Sequence, residues 1–254
     1  MRAFTLADGS ILRFHDLPGR GAPLLFVHGL GCASSCDYPR VAADPALAGR
    51  RRLLVDLLGS GFSDRPDAFG YSVEDHARTL AALIDGLGLA PVDLYGHSMG
   101  GAVAIALAAL RPARVGRLVV CEPNLVPGGG FFSSPIAAQG EAVYARLGHA
   151  LTVAAAREAG NIVWAGSLAT TSPRAVHRGA TSLVRGSSPT WLEQLGALAL
   201  PRTGIYGARS LPDADAQRLE SIGVPLVIVP DAGHSVACEN PAGLSHAIAA
   251  ALPV

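Results

Sequence analysis

One serine lies between glycines where a short apolar run gives way to a helical pattern. The segment reads Gly96-His97-Ser98-Met99-Gly100 and follows the apolar run Val92 to Tyr95. A serine hydroxyl is a weak nucleophile that needs a base to remove its proton. A sharp turn from strand to helix presents such a hydroxyl beyond the sheet edge, and residues 96 and 100 are glycine because the turn is tight. Ser98 is therefore the predicted nucleophile.

A second glycine-containing turn offers donors for a developing oxyanion. His28-Gly29-Leu30-Gly31 comes directly after the apolar run Leu24 to Val27. A tetrahedral intermediate needs two N–H groups that point at one oxygen. The amide of Met99, next after the nucleophile, is one predicted donor, and the amide of Leu30 is the other. His28 itself is predicted to hold the loop rather than to act as a base.

The predicted base is a histidine on a loop after the last apolar run. The segment Asp231-Ala232-Gly233-His234 follows Leu226 to Val229. A loop at the carboxyl end of a strand lets an imidazole face both the hydroxyl and the leaving group. His97 adjoins Ser98, but neighbours in a sharp turn point apart, so His97 is predicted to pack rather than to react.

These turns end short apolar runs that alternate along the chain with helical patterns. Runs without a polar face are typical of strands buried on both sides of a parallel sheet. The predicted strands are Leu24 to Val27, Arg52 to Val55, Val92 to Tyr95, Leu118 to Cys121, Thr203 to Tyr206 and Leu226 to Val229. A hairpin of residues 4–7 and 11–15 precedes them, because Asp8-Gly9 favours a tight turn. The predicted fold class is α/β, with a mostly parallel, doubly wound sheet.

The alternation stops between residues 127 and 198, where helix-compatible, alanine-rich stretches replace the buried strands. Pro173 and Pro189 are predicted to begin helices at their first turns. Earlier in the chain, Ser72 and Asp75 predict a capping box at the start of another helix. We therefore predict a core of residues 1–126 and 199–254, with an inserted helical cap formed by residues 127–198.

Together these segments resemble the α/β-hydrolase family over nearly the whole chain. The resemblance rests on His28-Gly29, the loop Asp56-Leu57-Leu58-Gly59-Ser60-Gly61-Phe62-Ser63, the turn around Ser98, and Gly233-His234. It implies a catalytic serine, an acid and a histidine in that chain order, with a helical cap before the penultimate strand. It also implies that Asp56 is structural and braces backbone N–H groups.

The acid is where this sequence departs from the commonest family pattern. The resemblance implies an aspartate after the strand Thr203 to Tyr206, but the chain has Ser210 at that place. Glu122 ends the preceding buried strand, and adjacent parallel strands place their ends close together, so its carboxylate could reach His234. Some haloalkane dehalogenases of the family carry their acid at this position. The alternatives left open are Asp213, Asp215 and Asp231, or a water-bridged arrangement.

A serine nucleophile favours acyl transfer to water. The predicted function is hydrolysis of a small, fairly apolar ester through an acyl-enzyme intermediate. The predicted substrate pocket comprises Phe131, Phe132 and Val236, with Leu30, Trp164 and Trp191 as further apolar candidates. One alternative is a carbon–carbon bond hydrolase of ring-cleavage products, in which Arg185 would hold a diacid. Another is a ligand receptor with residual hydrolase activity.

The composition narrows the classes of partner. The 254 residues carry a formal net charge of zero, and all basic residues are arginine. This balance disfavours nucleic acid and anionic membranes as partners, and the missing lysine excludes Schiff-base chemistry. Four cysteines without paired spacing predict free thiols, and the N-terminal pattern is not that of a signal peptide, so we expect a cytoplasmic protein. The expected partner is a small-molecule ester substrate; no cofactor, no metal and no particular oligomeric state is predicted.

Overall fold

The computed structural model describes residues 1–253 and contains one eight-stranded sheet. Its strands are β1 (Arg2–Thr5), β2 (Ile11–Leu17), β3 (Arg20–Val27), β4 (Arg50–Asp56), β5 (Val92–His97), β6 (Val115–Cys121), β7 (Arg202–Gly207) and β8 (Leu226–Val229). Their order in the sheet is β1-β2-β4-β3-β5-β6-β7-β8. The pairs β1–β2 and β2–β4 are antiparallel, and the other neighbours are parallel. The predicted mostly parallel α/β sheet is confirmed.

Five of the six strands predicted from apolar runs extend beyond those runs, and β8 coincides with its run. β6 begins at Val115, three residues before the predicted Leu118, and β4 includes Arg50 and Arg51. Main-chain pairing continues past the stretch that is buried on both faces, so apolar patterning alone gives strands that are too short. The predicted hairpin is present as β1 and β2, with β1 two residues earlier than expected.

Consecutive residues of the central strands pack on opposite faces of the sheet, as the two-residue period of a strand requires. In β3, Leu25 and Val27 belong to one apolar cluster with the helix after Ser98, whereas Leu24 and Phe26 belong to a second. The helices therefore cover both faces, and the carboxyl ends of β3, β5, β6, β7 and β8 share one edge of the sheet.

Thirteen α-helices, two 3₁₀ turns and one π-helical turn lie between and after the strands within residues 1–253. The helices are α1 (Ser34–Asp37), α2 (Pro39–Ala42), α3 (Val73–Gly86), α4 (Met99–Leu110), α5 (Ser133–Ala137), α6 (Glu141–Val143), α7 (His149–Glu158), α8 (Ile162–Thr170), α9 (Pro173–Arg185), α10 (Trp191–Ala197), α11 (Ala214–Ser221), α12 (Val236–Glu239) and α13 (Pro241–Ala251). None of those helices is both long and apolar enough to cross a membrane. All four cysteines are free thiols, as predicted.

Local signals set several helix starts. Ser72 and Asp75 form the predicted capping box at α3, and Pro173 is the first residue of α9, as predicted. The prediction for Pro189 is wrong, because α10 begins later, at Trp191. Thr190 caps that helix through the backbone N–H of its third residue, which displaces the proline to a position before the cap.

Six helices, α5 to α10, lie between β6 and β7 and cover the edge at which those strands end. Hydrogen bonds join this segment to the rest of the molecule. The backbone N–H of Ser172 donates to the carbonyl of Gly59 (2.8 Å), and that of Val73 donates to the Ser182 hydroxyl (3.1 Å). Trp191 is fully buried among residues of the main core. These contacts fix the helical segment above the sheet edge.

Candidate active site

The turn between β5 and α4 holds Ser98 in a backbone conformation that side chains rarely adopt. Its φ is 54° and its ψ is −121°, and its backbone N–H donates to the carbonyl of Cys121 (2.9 Å). A Cβ on Gly96 would lie 2.3 Å from the carbonyl oxygen of Gly100, and one on Gly100 would lie 2.3 Å from that of Val27. Both positions therefore require glycine, and strain of this kind is typical of functional sites.

Ser98 lines a cavity of about 550 Å³ between the sheet edge and the helical segment. His234 and Glu122 line the same cavity. Because Ser98 precedes the first turn of α4, the positive end of that helix dipole and its unpaired N–H groups are next to the hydroxyl. The predicted nucleophile, base and first candidate acid thus share one cavity.

His234 is hydrogen-bonded to Glu122. Its Nδ1 lies 2.8 Å from Oε2 of Glu122, and the other carboxylate oxygen accepts the backbone N–H of Gly207 at 2.9 Å. An ionised carboxylate only accepts hydrogen bonds, so Nδ1 carries the proton in this pair. In a neutral imidazole that leaves the lone pair of Nε2 free to accept a proton.

Glu122 is stabilised as a carboxylate by its neighbours. Its side chain is only 6% exposed, and burial by itself would raise its pKa. Hydrogen bonds with His234 and the Gly207 amide, together with the nearby Ser210 hydroxyl, outweigh that effect and hold the pKa of Glu122 below its usual value. Ser210, at the place where the family pattern implies an aspartate, therefore supports the charge on Glu122 instead.

The alternative acids are engaged elsewhere. Oδ1 of Asp213 accepts the backbone N–H groups of Asp215 (2.8 Å) and Ala216 (2.9 Å), which makes it the cap of α11. Asp215 forms an ion pair with Arg218 at 2.6 Å. Asp231 is exposed. Of the carboxylates considered from the sequence, Glu122 is the one hydrogen-bonded to His234.

His97 contributes a contact that the sequence did not reveal. Its Nε2 lies 2.9 Å from the carbonyl oxygen of His234, and the two rings are 4.8 Å apart. Burial and the nearby His234 ring lower the pKa of His97 to about 4, so it is neutral at pH 7 and donates this hydrogen bond through Nε2–H. His97 therefore packs, as predicted, and also holds the backbone of His234.

The loop that carries Leu30 is held by side chains on both sides. The backbone N–H of Leu57 donates to Nε2 of His28 (3.0 Å), which confirms the structural role predicted for this histidine. From the helical segment, the indole N–H of Trp164 donates to the carbonyl of Leu30 (2.9 Å). Within residues 1–253 the amides of Leu30 and Met99 have no protein acceptor, so both remain available to a ligand.

Asp56 has the bracing role that the family resemblance implies. One carboxylate oxygen accepts the backbone N–H of Ser35 (2.9 Å), and the other accepts that of Phe62 (3.0 Å). These bonds fix the loop after β4. Asp56 is buried and does not line the cavity that contains Ser98.

Of the three residues predicted for the substrate pocket, Phe131 and Phe132 line the cavity that contains Ser98, and Val236 does not. Phe132 lines the cavity, with its ring 6.0 Å from that of His234, and it packs against Trp164 with the ring centres 4.7 Å apart and the planes tilted by 53°. Phe131 also lines the cavity but is 89% exposed, which places it at the rim. Val236 is fully buried in the apolar cluster on the opposite face of the sheet, because α12 turns that side chain inward. Trp191 is likewise a core residue rather than a pocket residue.

A curated protein matches part of this sequence. A segment of 116 residues is 40% identical to 2-hydroxy-6-oxo-2,4-heptadienoate hydrolase of Pseudomonas putida, and it covers 45% of this chain and 42% of that protein. The chain thus matches less than half the length of this curated relative.

Solved structures match over nearly the full length. A thermophilic esterase from Thermogutta terrifontis superposes with a TM-score of 0.81 at 25% identity, covering 98% of this chain and 97% of that one. An esterase from Exiguobacterium antarcticum has a TM-score of 0.82 at 18% identity, covering 98% and 97%. The sequence model of the alpha/beta hydrolase fold matches residues 22–191. The chain belongs to the alpha/beta hydrolase fold family.

Proposed function

We propose that this protein is a serine hydrolase that cleaves a small, largely apolar carboxylic ester through an acyl-enzyme intermediate. The observation that carries the proposal is the 2.8 Å hydrogen bond between Nδ1 of His234 and Oε2 of Glu122, in the cavity that Ser98 lines. Together these residues form a set of nucleophile, base and acid, in which each group has the chemistry its role needs.

In the acylation half of the reaction, Nε2 of His234 accepts the proton of the Ser98 hydroxyl while the oxygen attacks the ester carbonyl. The carbonyl oxygen becomes an oxyanion, which the N–H groups of Leu30 and Met99 stabilise. Glu122 balances the positive charge that develops on the imidazole. Collapse of the tetrahedral intermediate breaks the bond to the alcohol oxygen, and the proton held by His234 passes to the departing alcohol.

Deacylation repeats these steps with water. Nε2 of His234 takes a proton from the water molecule, whose oxygen attacks the acyl carbonyl. The second tetrahedral intermediate releases the carboxylic acid, and Ser98 recovers its proton from His234. The Gly207 amide donates to the carboxylate of Glu122 and, with the nearby Ser210 hydroxyl, keeps it ionised throughout.

A second candidate function comes from the curated relative that hydrolyses a dienoate, a substrate whose name denotes a carboxylate. The lining of the cavity argues against a carboxylate substrate here. Within residues 1–253 no arginine lines it, and the chain has no lysine. Arg185, the residue suggested for holding a diacid, is exposed at the end of α9 and does not line the cavity. A non-anionic ester therefore fits better than an anionic ring-cleavage product.

The test uses 4-nitrophenyl butyrate and a fluorophosphonate probe on the wild type and on Ser98→Ala. We expect a burst of nitrophenol followed by steady turnover, and covalent labelling that the substitution abolishes. Loss of the nucleophile should lower kcat by about 10⁶-fold. Ser221→Ala, which changes an exposed serine at the end of α11, is the matched control.

Two results would count against the proposal. Labelling or turnover that survives in Ser98→Ala would overturn the nucleophile. Faster cleavage of 2-hydroxy-6-oxo-2,4-heptadienoate than of any uncharged ester would favour carbon–carbon bond hydrolysis.

A further inference from the structure

The loop that supplies the Leu30 amide is a tight turn. The carbonyl of Gly29 accepts the backbone N–H of Cys32 at 3.2 Å, so Leu30 and Gly31 are the two central residues of a four-residue turn. Gly31 has a φ of 68°, whereas the φ of Leu30 is not positive. This combination is that of a type II turn. The direction of the Leu30 N–H therefore depends on how the peptide groups on both sides of Leu30 are held.

The peptide group before Leu30 is held from the core. Its carbonyl, which belongs to Gly29, lies 2.8 Å from Nδ1 of His28. Nε2 of His28 accepts the Leu57 N–H and burial lowers the pKa of His28, so the neutral ring has its proton on Nδ1 and donates it to Gly29. Because C=O and N–H point in opposite directions in a planar trans peptide, this bond directs the Leu30 N–H away from His28.

The peptide group after Leu30 is held from the helical segment. The indole N–H of Trp164, in α8, donates to the carbonyl of Leu30 at 2.9 Å. A Cβ on Gly31 would lie 2.6 Å from Cδ1 of Leu168 and 3.2 Å from Nε1 of Trp164, so α8 leaves no room for a side chain there. The orientation of this central peptide group is what differs between type I and type II turns. The hydrogen bond from Trp164 therefore stabilises the observed form of the turn.

The side chains of both residues that supply the oxyanion donors contact the helical segment as well. A Cβ on Gly179, in the middle of α9, would lie 3.0 Å from Cδ1 of Leu30 and 3.2 Å from Sδ of Met99. Glycine inside a helix is less favourable than alanine by about 1 kcal/mol, and this close approach is a reason for it here. The helices α8 and α9 thus contact the Leu30 turn through its main chain and its side chain.

We infer, on the basis of the proposed ester hydrolysis, that Trp164 is a positioning residue for the oxyanion-binding amide of Leu30. Its hydrogen bond keeps the turn in the form in which that amide is available to the oxyanion, so the helical segment completes the catalytic geometry as well as covering the cavity. Trp164 acts through Leu30 and not on the reacting atoms. Removing an oxyanion donor lowers kcat by about 10² to 10³-fold. Loss of one neutral hydrogen bond behind the donor should lower it about tenfold.

A direct contact with the substrate is the competing role for Trp164, because its ring lines the cavity and packs against Phe132. The two roles have different kinetic consequences. A wall residue binds the acyl chain in the ground state too, so its loss raises KM, and more so for longer chains. A residue that positions the oxyanion donor acts on the transition state, so its loss lowers kcat by the same factor for every acyl chain.

Trp164→Phe keeps an aromatic ring and removes the N–H. We expect kcat to fall about tenfold for the 4-nitrophenyl esters of acetate, butyrate and octanoate alike, with little change in KM, because both half-reactions pass through an oxyanion. The Ki of n-butylboronic acid, which forms a tetrahedral adduct with the Ser98 oxygen, should rise by the same factor. A loss confined to KM, or one that grows with chain length, would overturn the inference.

Trp191→Phe is the matched control. Trp191 is fully buried in the core, and its indole N–H has no partner in the described part of the chain, so this change removes no hydrogen bond and should leave kcat unchanged. Because the chain has two tryptophans, Trp164 is then the only one. Replacing it by benzothienylalanine in that background exchanges the N–H for sulfur and keeps the shape, and should repeat the loss in kcat. Full kcat in that protein would overturn the inference even if Trp164→Phe is impaired.

Gly179→Ala tests the contact with α9. Its Cβ must displace Leu30 or Met99 by a few tenths of an ångström. Since a misplacement of about 1 Å can cost about a hundredfold in rate, we expect kcat to fall about fivefold. Gly166→Ala makes the same change in α8, where a Cβ meets open space, and should leave kcat unchanged. Equal kcat in the two variants would contradict the contribution of α9.

The rate of Ser98 labelling by a fluorophosphonate separates this inference from the proposed function. The phosphonyl oxygen needs the same two amides, so Trp164→Phe should slow labelling about tenfold. If no ester is cleaved and labelling is still slowed, ester hydrolysis fails and the positioning role stands. If esters are cleaved through Ser98 while Trp164→Phe changes neither kcat nor the labelling rate, the positioning role fails alone. A wild type that is not labelled would overturn both.

Discussion

The strands β6 and β7 end side by side at the same sheet edge, yet their carboxylates have different partners. Cys121 pairs with Ile205 in the sheet, and the next residue, Glu122, directs its carboxylate to His234. After β7 the chain makes a short turn, Ala208–Ser210, and the following carboxylate, Asp213, caps a helix. The same chemical group thus has two roles at adjacent strand ends.

Local backbone geometry explains the difference. Glu122 has a φ of 45°, which turns the chain sharply at the strand end, and the amide of Gly207 on the neighbouring strand holds one carboxylate oxygen. Asp213 instead stands just before α11, where unpaired N–H groups recruit its side chain. Each carboxylate therefore takes its role from the hydrogen-bond donors within its reach: His234 for Glu122 and the first N–H groups of α11 for Asp213.

The largest expected effect comes from changing Glu122, the carboxylate that follows β6. Glu122→Gln removes the negative charge beside His234, so the imidazole loses both its fixed tautomer and the balance for its positive charge. We expect kcat for 4-nitrophenyl butyrate to fall by about 10³ to 10⁴-fold with little change in KM. Glu220→Gln, the same change at an exposed site, should have no effect. Turnover of Glu122→Gln close to that of the wild type would mean that another group serves as the acid.

A smaller effect tests whether the two strand ends are interchangeable. Ser210 is near Glu122 and lines the same cavity as His234, so we expect an aspartate at residue 210 to reach the imidazole. We expect Ser210→Asp to restore kcat about tenfold in the Glu122→Gln background, because it returns a carboxylate to the imidazole. Ser210→Asn, with the same shape and no charge, is the control. Equal activity of the two double variants would show that the β7 end cannot carry the acid in this fold.

The smallest expected effect is on the pH dependence of the free energy of unfolding. Ionisation of Glu122, after β6, and of Asp215, after β7, should change this free energy in opposite directions. Hydrogen bonds keep the pKa of Glu122 below 4.5 despite burial, so its contribution to stability is present above pH 4.5 and is lost as the pH falls through its folded pKa. Burial raises the pKa of Asp215 above 3.8, so its ionised form disfavours folding above that pH.

Urea unfolding at several pH values measures both contributions. Glu122→Gln should lower the free energy of unfolding at pH 7 and not at pH 3. Asp215→Asn should raise it at pH 7 by less than about 1 kcal/mol, since the Asp215 side chain is still 24% exposed to solvent and the substitution also removes the ion pair with Arg218. If Asp215→Asn lost as much stability at pH 7 as Glu122→Gln, the predicted difference between the two carboxylates would be contradicted.

Much of the scaffold was predictable because its signals are local. The glycines at 96 and 100 indicate a tight turn, and the distances around them explain why no other residue fits. The predicted roles of His28 and Asp56 are also confirmed, and each rests on contacts with a neighbouring loop. Val236 was misplaced because four-residue helices such as α12 have no pattern that reveals which side faces the core.

The sequence by itself determined the fold class, the turn that presents Ser98 and the loop that carries His234, since steric limits and apolar periodicity act over a few residues. It left the acid open among several carboxylates. Only the tertiary structure decided that Glu122 meets His234 and that Trp164 contacts the Leu30 loop. These contacts join residues far apart in the chain, and their geometry depends on strand order, register and the docking of the helical segment.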